Sequence, residues 1–158
     1  MGYKGVECMN REEIINLFKN IKVWKKGDQI AVHKPLLILY ALGKINDNRM
    51  ISYKTVIYDL NDLLIKYGPA RQQVRTSFPF IRLANDNIWE IESTQSINTL
   101  SDYNDQALLD MNAEGGFKEE IYTELKNNPD LKYRIAQIIL ENYFEPEFHE
   151  DILFAVGL

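Results

Sequence analysis

Apolar residues recur at helical spacing near the start of the chain and predict two helices there. Asn10 followed by Glu13 is the pattern of a capping box, and the apolar residues after it predict a first helix over about Arg11–Lys19. The run Leu36–Leu42 is apolar almost all round, so we expect a second, buried helix that ends at Gly43.

The next segments predict a third helix and a short hairpin. Ser52 is a good N-cap, and the apolar residues behind it keep helical spacing as far as Gly68. The short apolar runs Phe80–Leu83 and Ile88–Ile91 flank four residues typical of turns, which favours a β-hairpin. Three helices followed by a hairpin is the order of a winged helix.

The last third of the chain predicts helices again. Their expected bounds are about Asp105–Met111, Lys118–Lys126 after the pair Gly115-Gly116, Leu131–Tyr143, and a final turn over Ile152–Val156. We therefore predict a mainly α fold with a small β-hairpin, in which a winged-helix-like N-terminal half is followed by a helical C-terminal bundle. A chain of 158 residues that is 46% hydrophobic fits a single domain over residues 1–158.

Composition narrows the class of protein. No apolar stretch approaches the roughly 18 residues of a membrane span, and no signal segment opens the chain, so we expect a cytoplasmic protein. The single cysteine, Cys8, excludes an internal disulfide and is expected to be an unreactive thiol. With only two histidines, no cluster has metal-ligand spacing, so neither a metal nor a cofactor is expected.

The formal net charge of −5 argues against a nucleic-acid partner until its distribution is considered. Twelve basic and four acidic residues lie between Asn16 and Asn85, whereas four basic and sixteen acidic residues follow from Asp86 onward. The basic half is a candidate phosphate-binding surface. The alternative is that the two halves merely solvate separate helices or attract each other.

Two loops of the basic half carry residue types that bind DNA. The first ends at a helix N-terminus, which favours phosphate, and its candidates are Lys25, Lys26, Gln29, His33 and Lys34. The second loop contains arginine and glutamine, the side chains that make bidentate contacts to base edges, together with a serine suited to phosphate. Its candidates are Arg71, Gln72, Gln73, Arg75 and Ser77. Solvated loops and a capping or packed role for His33 are the alternatives.

Catalysis finds little support. The acidic C-terminal segment around His149 has the residue types of a magnesium or manganese site, but a solvated acidic face is the preferred interpretation. Neither a P-loop nor a dinucleotide-binding glycine motif occurs. We therefore expect no catalytic residues in this chain.

Three separated blocks resemble a known family. The stretch Ala31–Gly43, with its His33-Lys34-Pro35 step, is similar to the helix-opening motif of the sulfur-binding domains of phosphorothioation-dependent restriction endonucleases. Tyr67-Gly68-Pro69 and Phe78–Leu83, with Asp86 and Trp89-Glu90, resemble that family's second block. A third match runs from Gly115-Gly116-Phe117 to Asn142-Tyr143-Phe144 and on to the end of the chain.

The resemblance implies binding of double-stranded DNA in which sulfur replaces a non-bridging phosphate oxygen, with a separate HNH nuclease domain, absent here, that cuts. By position it implies a sulfur pocket formed by Phe78, Pro79, Arg82 and His33. Phe78 replaces the tyrosine more usual in the family, and Arg82 stands where some members place a small residue. Sulfur is larger and more weakly hydrated than oxygen, so an apolar pocket favours it.

Three other functions remain open. A general winged-helix DNA-binding regulator would gain no affinity from sulfur. A protein-interaction module using the acidic helices would bind no DNA at modest salt. A metal-dependent nuclease built on the acidic C-terminus would cut DNA unaided.

Overall fold

The computed structural model describes residues 9–26, 29–68 and 76–158, and the fold is mainly α-helical with a small three-stranded antiparallel sheet. Of Lys26 and Gln29 only the backbone is described. Several residues discussed above lie outside the described residues: Cys8, Arg71, Gln72, Gln73 and Arg75.

Eight helices and five short strands make up the described part of the chain. In order they are α1 (Arg11–Lys19), β1 (Lys25–Lys26), β2 (Gln29–Ile30), α2 (His33–Gly43), β3 (Ile51–Ser52), α3 (Tyr53–Tyr67), α4 (Ser77–Arg82), β4 (Trp89–Glu92), α5 (Asp105–Asp110), β5 (Glu114–Phe117), α6 (Glu119–Asn127), α7 (Pro129–Tyr143) and α8 (His149–Val156). Two 3₁₀ turns, Leu83–Asp86 and Pro146–Phe148, follow α4 and α7.

The first helix confirms the capping-box prediction. The Glu13 backbone N–H donates to Asn10 Oδ1 at 2.9 Å, and the Asn10 N–H donates to Glu13 Oε1 at 3.2 Å. The two bonds satisfy backbone donors that the start of a helix leaves unpaired. Helix α1 therefore has the bounds that the sequence predicts.

Helix α2 is the centre of the core, as its apolar sequence predicts. All residues from Pro35 to Leu42 are buried, and the helix packs against α3, α4, α7 and α8. A Cβ on Gly43 would lie 1.8 Å from the carbonyl oxygen of Val156. Glycine at this position therefore allows the close approach of α2 and α8.

The predicted hairpin of Phe80–Leu83 with Ile88–Ile91 is wrong. Phe80–Arg82 belong to helix α4, and the chain then passes through the 3₁₀ turn and Asn87, in the left-handed region at φ 64°, into β4. A proline is tolerated in the first turn of a helix, and Pro79 stands there. An apolar run of four residues has no periodicity that separates a strand from a buried helical turn.

Strand β4 pairs instead with β5, much further along the chain. The sheet order is β3-β5-β4, all antiparallel, with Trp89 opposite Phe117 and Ile51 opposite Gly115. A Cβ on Gly116 would lie 2.0 Å from the carbonyl oxygen of Arg49. The glycine pair that the sequence places before a helix therefore lies in the central strand.

The other expectations for the chain are met in outline. The segment Val23–Val32, expected as a loop, contains the two-residue strands β1 and β2. Helices α5 to α8 lie close to their predicted bounds. Within the described ranges, no helix combines the length and the apolar character needed to cross a membrane.

Candidate nucleic-acid interface

Helix α4 carries four of the predicted site residues. Ser77 and Pro79 are buried. Phe78 is half-buried and Arg82 is exposed, one helical turn further along. The surface that α4 presents to solvent is therefore formed by Phe78 and Arg82.

Arg82 is held by contacts on one ring face and along one edge. Its guanidinium carbon lies 4.3 Å from the centroid of the Phe78 ring. Arg82 Nε donates to Asp102 Oδ1 at 3.1 Å, and Nη2 lies 2.8 Å from both Asp102 carboxylate oxygens. Both side chains are about half exposed, at 47% and 48%. The ring and the carboxylate together fix the orientation of the guanidinium, whereas a surface arginine without such contacts would take many orientations.

Lys34 lies in a buried ion pair at the start of α2. Its ammonium donates to Asp86 Oδ2 at 2.6 Å and to the backbone carbonyl of Lys22 at 2.9 Å. The other Asp86 oxygen accepts the Lys22 backbone N–H at 2.8 Å. The Asp86 side chain is 2% exposed. The pKa of Tyr143 is raised, mainly by the burial of Tyr143 itself and in addition by the negative charge of Asp86. This cluster ties the start of α2 to the 3₁₀ turn that follows α4.

A contact of Lys34 with the DNA backbone therefore stays a prediction, and the ammonium has few donors left for it. An ammonium has three donors, and two of them are engaged. His33, the first residue of α2, is half-buried. Both residues nevertheless lie at the same end of α2, which packs against α4.

The β1–β2 hairpin carries an exposed cation and an exposed aromatic ring. Lys25 is exposed on β1, and the side chain before it, Trp24, is 53% exposed. The Ala31 N–H donates to the Trp24 carbonyl at 2.9 Å and closes the base of the hairpin. Sequence reasoning did not select Trp24, although its position beside two lysines was a usable signal. Rings and cations together suit the bases and phosphates of a nucleic acid.

The predicted base-edge contacts are not tested by this structure. Arg71, Gln72, Gln73 and Arg75 lie outside the described residues, and the side chains of Lys26 and Gln29 are not described. Those assignments remain predictions.

Part of the positive charge counted in the sequence is neutralised within the fold. Arg49 pairs with Glu90, donates to the Phe117 carbonyl at 3.0 Å and lies 3.9 Å from Glu92. Lys34 and Arg82 also have carboxylate partners. The exposed lysines of the basic half include Lys19, Lys22, Lys25, Lys54 and Lys66.

The acidic C-terminal segment has a structural role for its histidine. His149 Nε2 lies 2.9 Å from the Phe144 carbonyl oxygen, a bond that ties the start of α8 to the end of α7. Within residues 9–26, 29–68 and 76–158, no three His, Cys, Asp or Glu side chains come together as a metal site would require.

The surface presents a lysine and a tryptophan on one hairpin, and an arginine held against an aromatic ring on a short helix. Such combinations of cations and aromatic rings are typical of nucleic-acid-binding domains. The chain belongs to the ScoMcrA-like DNA sulfur-binding domain family, whose model matches residues 11–158. The resemblance drawn from the sequence is therefore confirmed. No curated protein matches the chain.

Solved structures share the fold. The sulfur-binding domain of SprMcrA, complexed with phosphorothioated DNA, superposes with a TM-score of 0.79 at 18% identity, over 95% of each chain. The sulfur-binding domain of ScoMcrA, also complexed with phosphorothioated DNA, gives 0.77 at 22% identity, over 91% of this chain and 94% of that one. The type IV phosphorothioation-dependent restriction endonuclease ScoMcrA gives 0.75 at 22% identity, and 32% of its chain is covered.

Proposed function

We propose that this chain binds double-stranded DNA that carries a phosphorothioate linkage, as the recognition module of a restriction endonuclease. The family match over residues 11–158 carries the proposal. The exposed Lys25 and Trp24, and the Phe78–Arg82 stack, supply the charge and the rings that such a surface needs.

The order of the elements supports a winged-helix-like role for the N-terminal half. Strand β3 is followed by helices α3 and α4 and then by β4, α5 and β5, with β5 in the middle of the sheet. In a helix-turn-helix pair the second helix enters the major groove. On this proposal α4 is the recognition helix, and Phe78 and Arg82 face the DNA.

The proposed sulfur pocket is formed by Phe78, Pro79, Arg82 and His33. Because Pro79 is buried and Phe78 is only half-buried, the phenylalanine ring supplies the exposed part of the apolar wall. An apolar wall gives no hydrogen bond to an ordinary phosphate oxygen, and it costs the more weakly hydrated sulfur less desolvation. The pocket then discriminates against an ordinary phosphate because its wall offers the oxygen no hydrogen bond.

Two substitutions in the wall test this assignment. Phe78→Ser should make the pocket wettable, and Pro79→Ala should trim it, so each should reduce affinity for modified DNA far more than for unmodified DNA. Lys25→Ala is the matched control, since losing a phosphate contact should weaken both affinities equally and lower the salt slope by about one unit. If Phe78→Ser in a folded protein also weakened both equally, the pocket would lie elsewhere.

Cleavage is assigned to another domain. This chain covers 32% of the related restriction endonuclease ScoMcrA, which is therefore about three times as long as the matched part. We expect the purified chain with magnesium or manganese to leave modified DNA intact. Strand scission abolished by His149→Ala would instead support the metal-dependent nuclease hypothesis.

A further inference from the structure

Asp102 lies far from α4 in sequence, yet it pairs with one edge of the Arg82 guanidinium on the α4 surface. A guanidinium has five N–H donors in a planar fork. The Asp102 carboxylate engages those on Nε and Nη2, at 2.8 to 3.1 Å, while the Phe78 ring covers one face. The donors best placed to grip a phosphate side-on are therefore already engaged.

The loop that carries Asp102 is held in place by its own hydrogen bonds. Asn85 Nδ2 donates to the Thr99 carbonyl at 2.8 Å and fixes the loop to the 3₁₀ turn after α4. The Leu100 N–H donates to Asn98 Oδ1 at 3.0 Å, and the Asn98 N–H donates to the Tyr103 hydroxyl at 3.0 Å. Hydrogen bonds therefore fix the loop that places Asp102 beside Arg82.

The pairing has a consequence for selectivity. An unpaired arginine next to the DNA would donate to ordinary phosphate oxygens in the strong bidentate geometry and so favour unmodified DNA. A carboxylate on the Nε–Nη2 edge blocks the side-on bidentate contact, and its charge repels phosphate from the rest of the guanidinium. The Phe78 ring and the arginine stem remain as apolar surface.

Building on the proposed function, we propose that Asp102 is a specificity-determining residue: it holds the Arg82 donors away from an ordinary phosphate and so preserves the preference for sulfur. Arg82 is then the group that would reduce selectivity, and Asp102 is the positioning residue that prevents it. The effect acts through Arg82, so it should disappear when Arg82 is absent.

The test is a titration of Asp102→Asn and Asp102→Ala with one short duplex, with and without a single phosphorothioate, at two salt concentrations. Binding of unmodified DNA should become about fivefold tighter, which corresponds to the largest free energies measured for exposed ion pairs. Its salt slope should rise by about one unit as Arg82 gains a phosphate contact. Binding of modified DNA should change less, so the sulfur preference should fall.

Two controls separate this effect from a simple change of net charge. Asp130→Asn removes the same charge from the exposed Arg11–Asp130 ion pair, joined at 2.7 Å, and should leave the preference unchanged. In an Arg82→Ala background, Asp102→Asn should no longer alter the preference, which a double-mutant cycle measures. Thermal unfolding checks that each variant is folded.

The outcomes are distinct from those of the proposed function. A wild-type preference for sulfur that Asp102→Asn leaves unchanged, or an equal rise of both affinities, overturns the role of Asp102 while the proposed function stands. A wild-type protein with no preference for sulfur overturns both.

Discussion

The ion pair between Lys34 and Asp86 gives a prediction that links stability to the DNA-binding assignment. Lys34→Met keeps the length of the side chain but removes its charge. The Asp86 side chain is 2% exposed and Lys34 is 15% exposed, so the carboxylate would lose its cation in a place that water hardly reaches. One Asp86 oxygen would still accept the Lys22 N–H, at 2.8 Å.

The expected magnitude follows from that burial. Breaking a buried ion pair on one side costs about 3–5 kcal/mol. Because Asp86 keeps one backbone donor, we expect the lower end, about 3 kcal/mol of unfolding free energy. For a domain of this size that corresponds to a fall in Tm of about 6–12 °C. The double variant Lys34→Met/Asp86→Leu should recover most of the loss, leaving about 1 kcal/mol for the unpaired Lys22 N–H.

Urea denaturation of the two variants measures these differences, with Arg11→Met as the matched control. Arg11 belongs to an exposed ion pair, so its loss should cost no more than about 1 kcal/mol. If Lys34→Met cost as little as Arg11→Met, the buried pair would not stabilise the fold as argued. The salt slope of DNA binding by Lys34→Met tests the predicted backbone contact of Lys34: a fall of about one unit would show a direct phosphate contact, and no change would show that the ion pair keeps the ammonium from the DNA.

Three further predictions concern charge, packing and pH. Lys25→Ala should lower the salt slope of DNA binding, whereas Lys126→Ala in the acidic half should leave it unchanged, as titrations at several salt concentrations would show. Gly116→Ala should prevent stable folding, because its Cβ would lie 2.0 Å from a backbone carbonyl oxygen of the loop before β3, and circular dichroism would show the loss. Burial and the hydrogen bond to Asp59 raise the pKa of Tyr40 well above its ordinary value, so the stability it contributes is present below about pH 10 and declines as the pH rises further. Tyr40→Phe should therefore lessen the loss of unfolding free energy between about pH 8 and about pH 11, measured by urea denaturation.

The parts of the fold that sequence predicts well are those set by local pattern. Helix α1 has a capping box and α2 a continuous apolar run, and both elements form where these signals place them. Helix α4 was missed because its apolar run is too short to show a period, and the partner of β4 lies beyond another helix. Long-range strand pairing is a property of the whole chain that short windows do not contain.

The candidate site was predictable in its residue types but not in its pairings. Phe78 and Arg82 could be singled out from the resemblance to the sulfur-binding domain family, and the structure places them one turn apart. The partners Asp86 and Asp102 could not be assigned, because the Lys34–Asp86 and Arg82–Asp102 contacts depend on the tertiary fold. A count of charges therefore overstates the positive surface, since paired cations count fully in the sequence.

Whether this domain distinguishes sulfur from oxygen on a single phosphate can be measured with one titration. The same short duplex, with and without one stereodefined phosphorothioate, is titrated with the wild-type chain at two salt concentrations, each stereoisomer separately. We expect tighter binding of one modified duplex than of the unmodified duplex. Both affinities should fall together as salt rises, while their ratio persists. Equal affinity for all the duplexes would rule out recognition of sulfur and leave a general DNA-binding domain. No binding at modest salt would favour the protein-interaction module.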